Sequence, residues 1–168
     1  VASARLEKLL MEVGDSAVTE AGKTTNLTAQ IQHLTKAHEH FTKLNQLNPE
    51  NQEAKQKLEN VTEQLAEKLT EQARALREKS EAVPEDAKNQ NSEKEKLNVQ
   101  ASQSYEKARE LTPDNKPLAE EHDAFKKEVA DKMTDAAQEL ADKAQIPPES
   151  ERKVGELKKQ QEGLQKAL

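Results

Sequence analysis

Cysteine and tryptophan are absent from the 168 residues, glycine occurs four times, and aromatic side chains make up only 2% of the chain. Without cysteine there is no disulfide frame and no thiolate metal ligand. The same absence leaves the compartment unreadable, since helical proteins need no staples, and the cytoplasm is only the default. With so few aromatics any core has to be built mainly of Leu and Ala, which suits slender helix pairs better than a thick globule. No glycine-rich phosphate loop occurs, and no apolar run approaches the length of a bilayer span. The 26 basic and 32 acidic side chains give a net charge of −6. Because the two signs are interspersed and form no basic stripe, no nucleic acid is expected as a partner. The chain opens Val1-Ala2-Ser3-Ala4 with neither an initiator Met nor an apolar leader, and reads as a soluble fragment of something longer.

What is there is a duplication. The stretch from Ala37 to Glu85 returns without a gap 64 positions later, from Ala101 to Glu149. Matched positions include Ala37/Ala101, Phe41/Tyr105, Leu44/Ala108, Pro49/Pro113, Asn51/Asn115, Val61/Phe125, Leu65/Val129, Leu69/Met133 and Pro84/Pro148. Apolar faces and turn residues recur while the surface between them drifts, as in a stacked structural unit. The whole chain, 1–168, is expected to be one all-helical domain with internal repeats at 37–85 and 101–149.

Between the prolines the apolar residues keep helical spacing. Ala54, Leu58, Val61, Leu65, Leu69, Ala73 and Leu76 form one seam, and Leu118, His122, Phe125, Val129, Met133, Ala137 and Leu140 form its twin. A single seam demands a covering helix, because an isolated amphipathic helix is marginal in water. Pro117 is tolerated in a first turn, so Asn115 is the expected N-cap of the helix after it, with Asn51 its equivalent. Four acid-to-base pairs at four-residue spacing, Glu53/Lys57, Asp123/Lys127, Glu128/Lys132 and Glu139/Lys143, support exposed helix. Helices are expected over 2–19, 26–47, 52–82, 97–111, 116–145 and 150–167. The connector from Gly14 to Thr25 and the polar stretch from Glu85 to Lys96 are expected to be flexible, with a solvated helical extension as the alternative for the second.

Ala37-x-x-x-Phe41 followed by Leu44 and Pro49, and Ala101-x-x-x-Tyr105 followed by Ala108 and Pro113, resemble the second half of a tetratricopeptide repeat. The run Tyr105 to Asn115, YEKARELTPDN, carries most of that resemblance. It implies that the small residue lets two helices approach, that the aromatic fills the gap between hairpins, and that the proline ends the helix. The family's first-helix Trp, Leu-Gly and Tyr are replaced by Glu85, Lys88, Asn89 and Ser92, and the period is 64 rather than the family's roughly 34 residues. The expected fold is therefore all-α, with antiparallel long helical hairpins in a tetratricopeptide-like stack or an elongated helical bundle.

No catalytic, cofactor-binding or metal site is expected, and no cofactor. His33, His38 and His40 lack the i, i+4 spacing with which a helix chelates a metal, and read as surface histidines. His122, standing where the first copy has Leu58, reads as a seam-edge histidine whose ring covers apolar surface, with pH sensing as the sharper alternative. Glu120, Glu121 and Asp123 suit a helix start through the macrodipole alone. Asn26-Leu27-Thr28 and Asn60-Val61-Thr62 fit the glycosylation pattern at about the chance rate for such a composition. The function expected is a non-enzymatic binding or scaffolding module for a protein or peptide partner. Alternatives are a spectrin- or vinculin-like rod segment and, with lower weight, an exchangeable lipid-binding bundle. Membrane association is not expected, and a homo-oligomer is left open.

Overall fold

The computed structural model describes the backbone of residues 2–84 and 90–144 and the side chains of 4–84 and 90–139. Among these residues there are five α-helices and no strands: α1 Ala2–Lys23, α2 Leu27–Leu47, α3 Gln52–Glu81, α4 Gln90–Leu111 and α5 Lys116–Ala144. The chain divides into two units, Val1–Lys126 and Lys127–Leu168. Within the first, α1 packs on α2, α2 on α3 and α3 on α4. There α4 also meets the start of α5, where the Tyr105 and His122 rings stack with centroids 5.3 Å apart. Of the second unit the structure describes the last part of α5, in which residues 131–139 are exposed.

Local hydrogen bonds explain where the helices begin and end. Asn51, with φ −74° and ψ 99°, stands just outside α3, and its side chain accepts the Ala54 N–H. Sixty-four positions later Asn115 Oδ1 accepts the Leu118 N–H at 3.1 Å. The backbone repeats around these caps as well. Asn48 N–H reaches Leu44 O at 2.9 Å where Thr112 N–H reaches Ala108 O at 3.1 Å, and Asn51 to Asn48 is matched by Asn115 to Thr112, both at 3.1 Å. Proline cannot continue a helix, so Pro49 and Pro113 fix both turns at the same place in the pattern. Asn26 caps α2 in the same manner, its Oδ1 accepting the Ala29 N–H at 3.0 Å.

The first expected connector, up to Lys23, and the described part of the second, from Gln90, are helix. The structure carries α1 through Gly14 and Gly22 to Lys23, leaving only Thr24 to Asn26 as the link. Glycine costs a helix about 1 kcal/mol relative to alanine, and at Gly14 packing outweighs that cost. A Cβ placed there would meet Phe41 Cε1 at 2.5 Å. The missing side chain therefore admits the ring, which is 1% exposed. In the polar stretch from Glu85 to Lys96, α4 begins at Gln90 rather than near residue 97. Its first turns pack on α3, where Ser80 Oγ donates to Lys94 O at 3.4 Å. Residues 85–89 and the expected sixth segment at 150–167 lie outside the described residues.

The core joins Leu34, Ala37, Phe41 and Leu44 of α2 to Ala54, Val61, Leu65, Leu69 and Ala73 of α3, and Ala101, Tyr105 and Ala108 of α4 to Leu118 and Phe125 of α5. Burying one of the larger of these side chains contributes about 1.5–3 kcal/mol, so Phe41 and Leu44 weigh more than any surface pair. Ala37 and Ala101, Phe41 and Tyr105, Leu44 and Ala108, Ala54 and Leu118, and Val61 and Phe125 are all buried, whereas at the later matched pair Leu69 is 6% exposed and Met133 62%. In α3 the seam beyond Val61 is covered, because α4 packs on that helix. Leu58 and Leu76 are half-buried at the edges of the α3 seam. Of the four acid-to-base pairs, Glu53/Lys57 and Glu128/Lys132 form at 3.5 and 2.6 Å. Asp123 turns instead to Arg109 of α4 at 3.0 Å, and the Lys143 side chain is outside the described residues.

Candidate functional site

Pro113, Asn115 and Pro117 end α4 and start α5 within a few residues, and the short turn they make leaves an open groove beside α3. The groove, about 470 Å³ in volume, is walled by Glu63, Glu67, Thr70 and Arg74 of α3 and by Asn115, Pro117, Leu118 and Glu121. Its wall residues are mostly polar, and among the described residues neither Glu63 nor Glu67 is in an ion pair.

At one side of the groove a charged network ties three helices together. Arg74 of α3 donates through Nε to Glu121 Oε1 and through Nη2 to Glu121 Oε2, each at 2.7 Å, and the Tyr105 hydroxyl of α4 donates to Glu121 Oε1 at 2.8 Å. This two-pronged pairing suits the planar guanidinium. The Arg74 hydrogen bonds, with a smaller contribution from Tyr105, hold the Glu121 carboxyl below its usual range. Burial first, and the neighbouring carboxylate second, push the Tyr105 phenol up to about 12.

Behind the network, His122 is fully buried, which corrects the seam-edge reading. Its ring stacks on Tyr105, Nε2 lies 3.3 Å from Ser102 Oγ, and Nδ1 lies 3.4 Å from Arg109 Nη1. A guanidinium can only donate, so the contact with Arg109 suits a neutral ring in which Nδ1 accepts and Nε2 bears the proton facing Ser102. Burial, then Lys126 and Arg109, hold its pKa below the ordinary histidine value. Ser102 and Arg109 provide what Leu58 of the first copy has no need of, partners for two ring nitrogens.

The other sequence candidates fall elsewhere. His33, His38 and His40 all lie on α2 and are half-buried; His33 and His40 share one side of the helix, while His38 lies on the other. Burial lowers the His38 pKa. Among the described residues no group of three or more His, Cys, Asp or Glu could hold a metal ion, and no helix is long and apolar enough to cross a membrane. Asn26 is occupied as a cap, and Asn60 Oδ1 accepts from Gln64 Nε2 at 2.6 Å. Glu120 stays exposed, while Glu121 and Asp123 pair with Arg74 and Arg109. An exposed apolar stripe, Leu6, Leu9 and Val13, runs along α1.

Arg74 and Glu121 were hidden from composition and spacing, yet the duplication contained a pointer to the second. Glu121 matches Lys57, 64 positions earlier. Lys57 likewise reaches from the helix after the turn to the helix before the aromatic, binding Asp15 of α1 at 2.6 Å beside the Phe41 ring. Location is kept and polarity reversed. The chain matches no family model, no curated protein and no solved structure.

Proposed function

We propose that this chain is a non-enzymatic protein–protein interaction or scaffolding module, its helices pairing as antiparallel hairpins that stack in a tetratricopeptide-like manner. A peptide segment of the partner lies in the groove between α3 and the start of α5. The observation that carries this reading is the groove itself: about 470 Å³, open, and edged by carboxylates. Clefts of that size accept side chains, and although the Thr70 and Thr112 hydroxyls donate to Ala66 O and Ala108 O and Asn115 Oδ1 accepts the Leu118 N–H, the hydroxyl oxygens can still accept and the Asn115 amide nitrogen can still donate to a backbone. Glu63 and Glu67 favour a segment carrying Lys or Arg, by charge complementarity. Links of three and four residues between consecutive helices, at 24–26, 48–51 and 112–115, support the hairpin pairing. The Arg74–Glu121–Tyr105 network stiffens one wall, which lowers the ordering cost of binding.

The test compares proteins retained by the immobilised chain with those retained by a Glu63→Lys/Glu67→Lys variant. Both positions are exposed, so the fold should survive. Partners held by the native chain and lost from the variant support the groove. Equal retention by both sinks the groove, and no retention by either sinks the binding module.

A further inference from the structure

We propose that His122 is a pH-sensitive latch, its neutral ring clamped between Tyr105, Ser102 and the Arg109 guanidinium so that a second ring proton releases the groove-forming start of α5 from α4. The clamp tolerates only one protonation state. A proton on Nδ1 would replace the acceptor that Arg109 Nη1 faces at 3.4 Å with a second donor, and would set a buried cation against a guanidinium. The neighbours do not compensate. From α4 come Arg109, Glu106 and the uncharged Tyr105 and Ser102; from α5 come Lys126 and Asp123. Glu106 is drawn to Lys126 at 3.5 Å and Asp123 to Arg109 at 3.0 Å, so both nearby carboxylates are already engaged. On the α3 side Arg74 is bound by Glu121, which itself lies next to His122 in α5. Leu118 and Glu121 wall the groove within one turn of His122, so loosening this turn alters the groove.

The sign follows from linkage. Burial holds the folded His122 pKa below the ordinary value of 6.5. Above that value neither state takes a proton, and the latch contributes in full. As pH falls below it the unfolded or opened chain binds a proton that the closed one refuses, and the contribution is lost down to the folded pKa.

The experiment follows urea unfolding of the full chain from pH 8 to 5, beside a His122→Leu variant that installs the residue of the matched position. The other three histidines are present in both chains, so the difference isolates His122. The native chain should lose stability faster below about pH 6.5, its unfolding constant rising relative to the variant by up to tenfold per pH unit. Two measurements on the native chain decide the matter even if the variant does not fold. Nitrogen NMR should find the Nε2–H tautomer with a midpoint below 6.5. Amide exchange over Leu118–Phe125, corrected for its chemical rate, should accelerate between pH 7 and 5 more than over Leu34–Leu44. Parallel stability profiles, a midpoint at or above the ordinary value, the Nδ1–H tautomer, or unchanged protection of Leu118–Phe125 would each overturn the latch. Its bearing on binding rests on the groove reading above, but none of these measurements needs a ligand, so failure of one is distinguishable from failure of the other.

Discussion

Replacing Gly14 with alanine sets helix propensity against packing, and the structure decides which wins. In an exposed helix the change gains about 1 kcal/mol. Here the new Cβ would lie 2.5, 2.7 and 3.0 Å from Phe41 Cε1, Cζ and Cδ1. Ordinary carbon contacts sit near about 3.5–4.0 Å, so α1 or the ring has to move by roughly 1 Å. Phe41 is almost wholly enclosed, so the ring cannot relieve the contact by swinging into solvent. Overpacking of this kind costs about 1–3 kcal/mol, which leaves a net loss of up to about 2 kcal/mol after the propensity gain. Gly22 is the internal control, because a Cβ there meets nothing within 4 Å. Gly22→Ala in the same helix should gain about 0.5–1 kcal/mol. Urea unfolding followed by circular dichroism at equal slope measures both, and the two alanine variants should move in opposite directions. A Gly14→Ala chain as stable as Gly22→Ala would refute the close approach of α1 to Phe41. A double-mutant cycle with Phe41→Leu assigns the loss to that contact, since the ring truncation should cost less in the alanine background than in the native one.

The two matched caps should behave alike: Asn51→Ala and Asn115→Ala each lose about 1 kcal/mol, additively, while aspartate at either position keeps most of it. Thermal melts of the single and double variants check this. Leu69→Lys should cost about 3 kcal/mol or more by burying a charge without a partner, whereas Met133→Lys at the matched but exposed position should stay within about 0.5 kcal/mol of the native chain. Tyr105 is the single tyrosine, so ultraviolet titration of the folded chain reads its phenol alone and should place the midpoint near about 12 rather than the ordinary value of about 10. Because the folded Glu121 pKa is depressed, its contribution is present above the ordinary value of 4.5 and lost as pH falls below it. The stability difference between the native chain and Glu121→Gln should therefore shrink in acid, and an unchanged difference would argue against the Arg74 pairing.

Features fixed by bonds within a few residues were legible in the sequence. Asn51, Asn115 and the proline turns satisfy their own neighbours, so residue type and spacing were enough to place them. The connector from Gly14 was misread, and the stretch before Lys96 was left open between loop and helix, because the compensation lies far along the chain. Gly14 is explained only by Phe41, and the polar start of α4 only by α3. His122 was misjudged for the same reason, since Ser102 and Arg109 belong to another helix and nothing in their spacing names them as partners for an imidazole. Glu121 looked like one of three interchangeable acids at a helix start; its difference from Glu120 is which way it faces. The seam pattern alone could not separate Leu69 from Met133, because the same periodicity is written in both copies and only a covering helix distinguishes them.

The reversed polarity at Lys57 and Glu121, 64 positions apart, bears on what an exchange of the two segments would bring together. Were the segment after the second turn to dock where the first belongs, Glu121 would confront Asp15, and the converse error would bring Lys57 against Arg74. Both encounters are repulsive, whereas the native pairs at 2.6 and 2.7 Å attract. Each pair is too exposed to add much to stability. The consequence of their opposite signs is that an exchanged docking, an error open to chains with similar segments, sets like charges against each other.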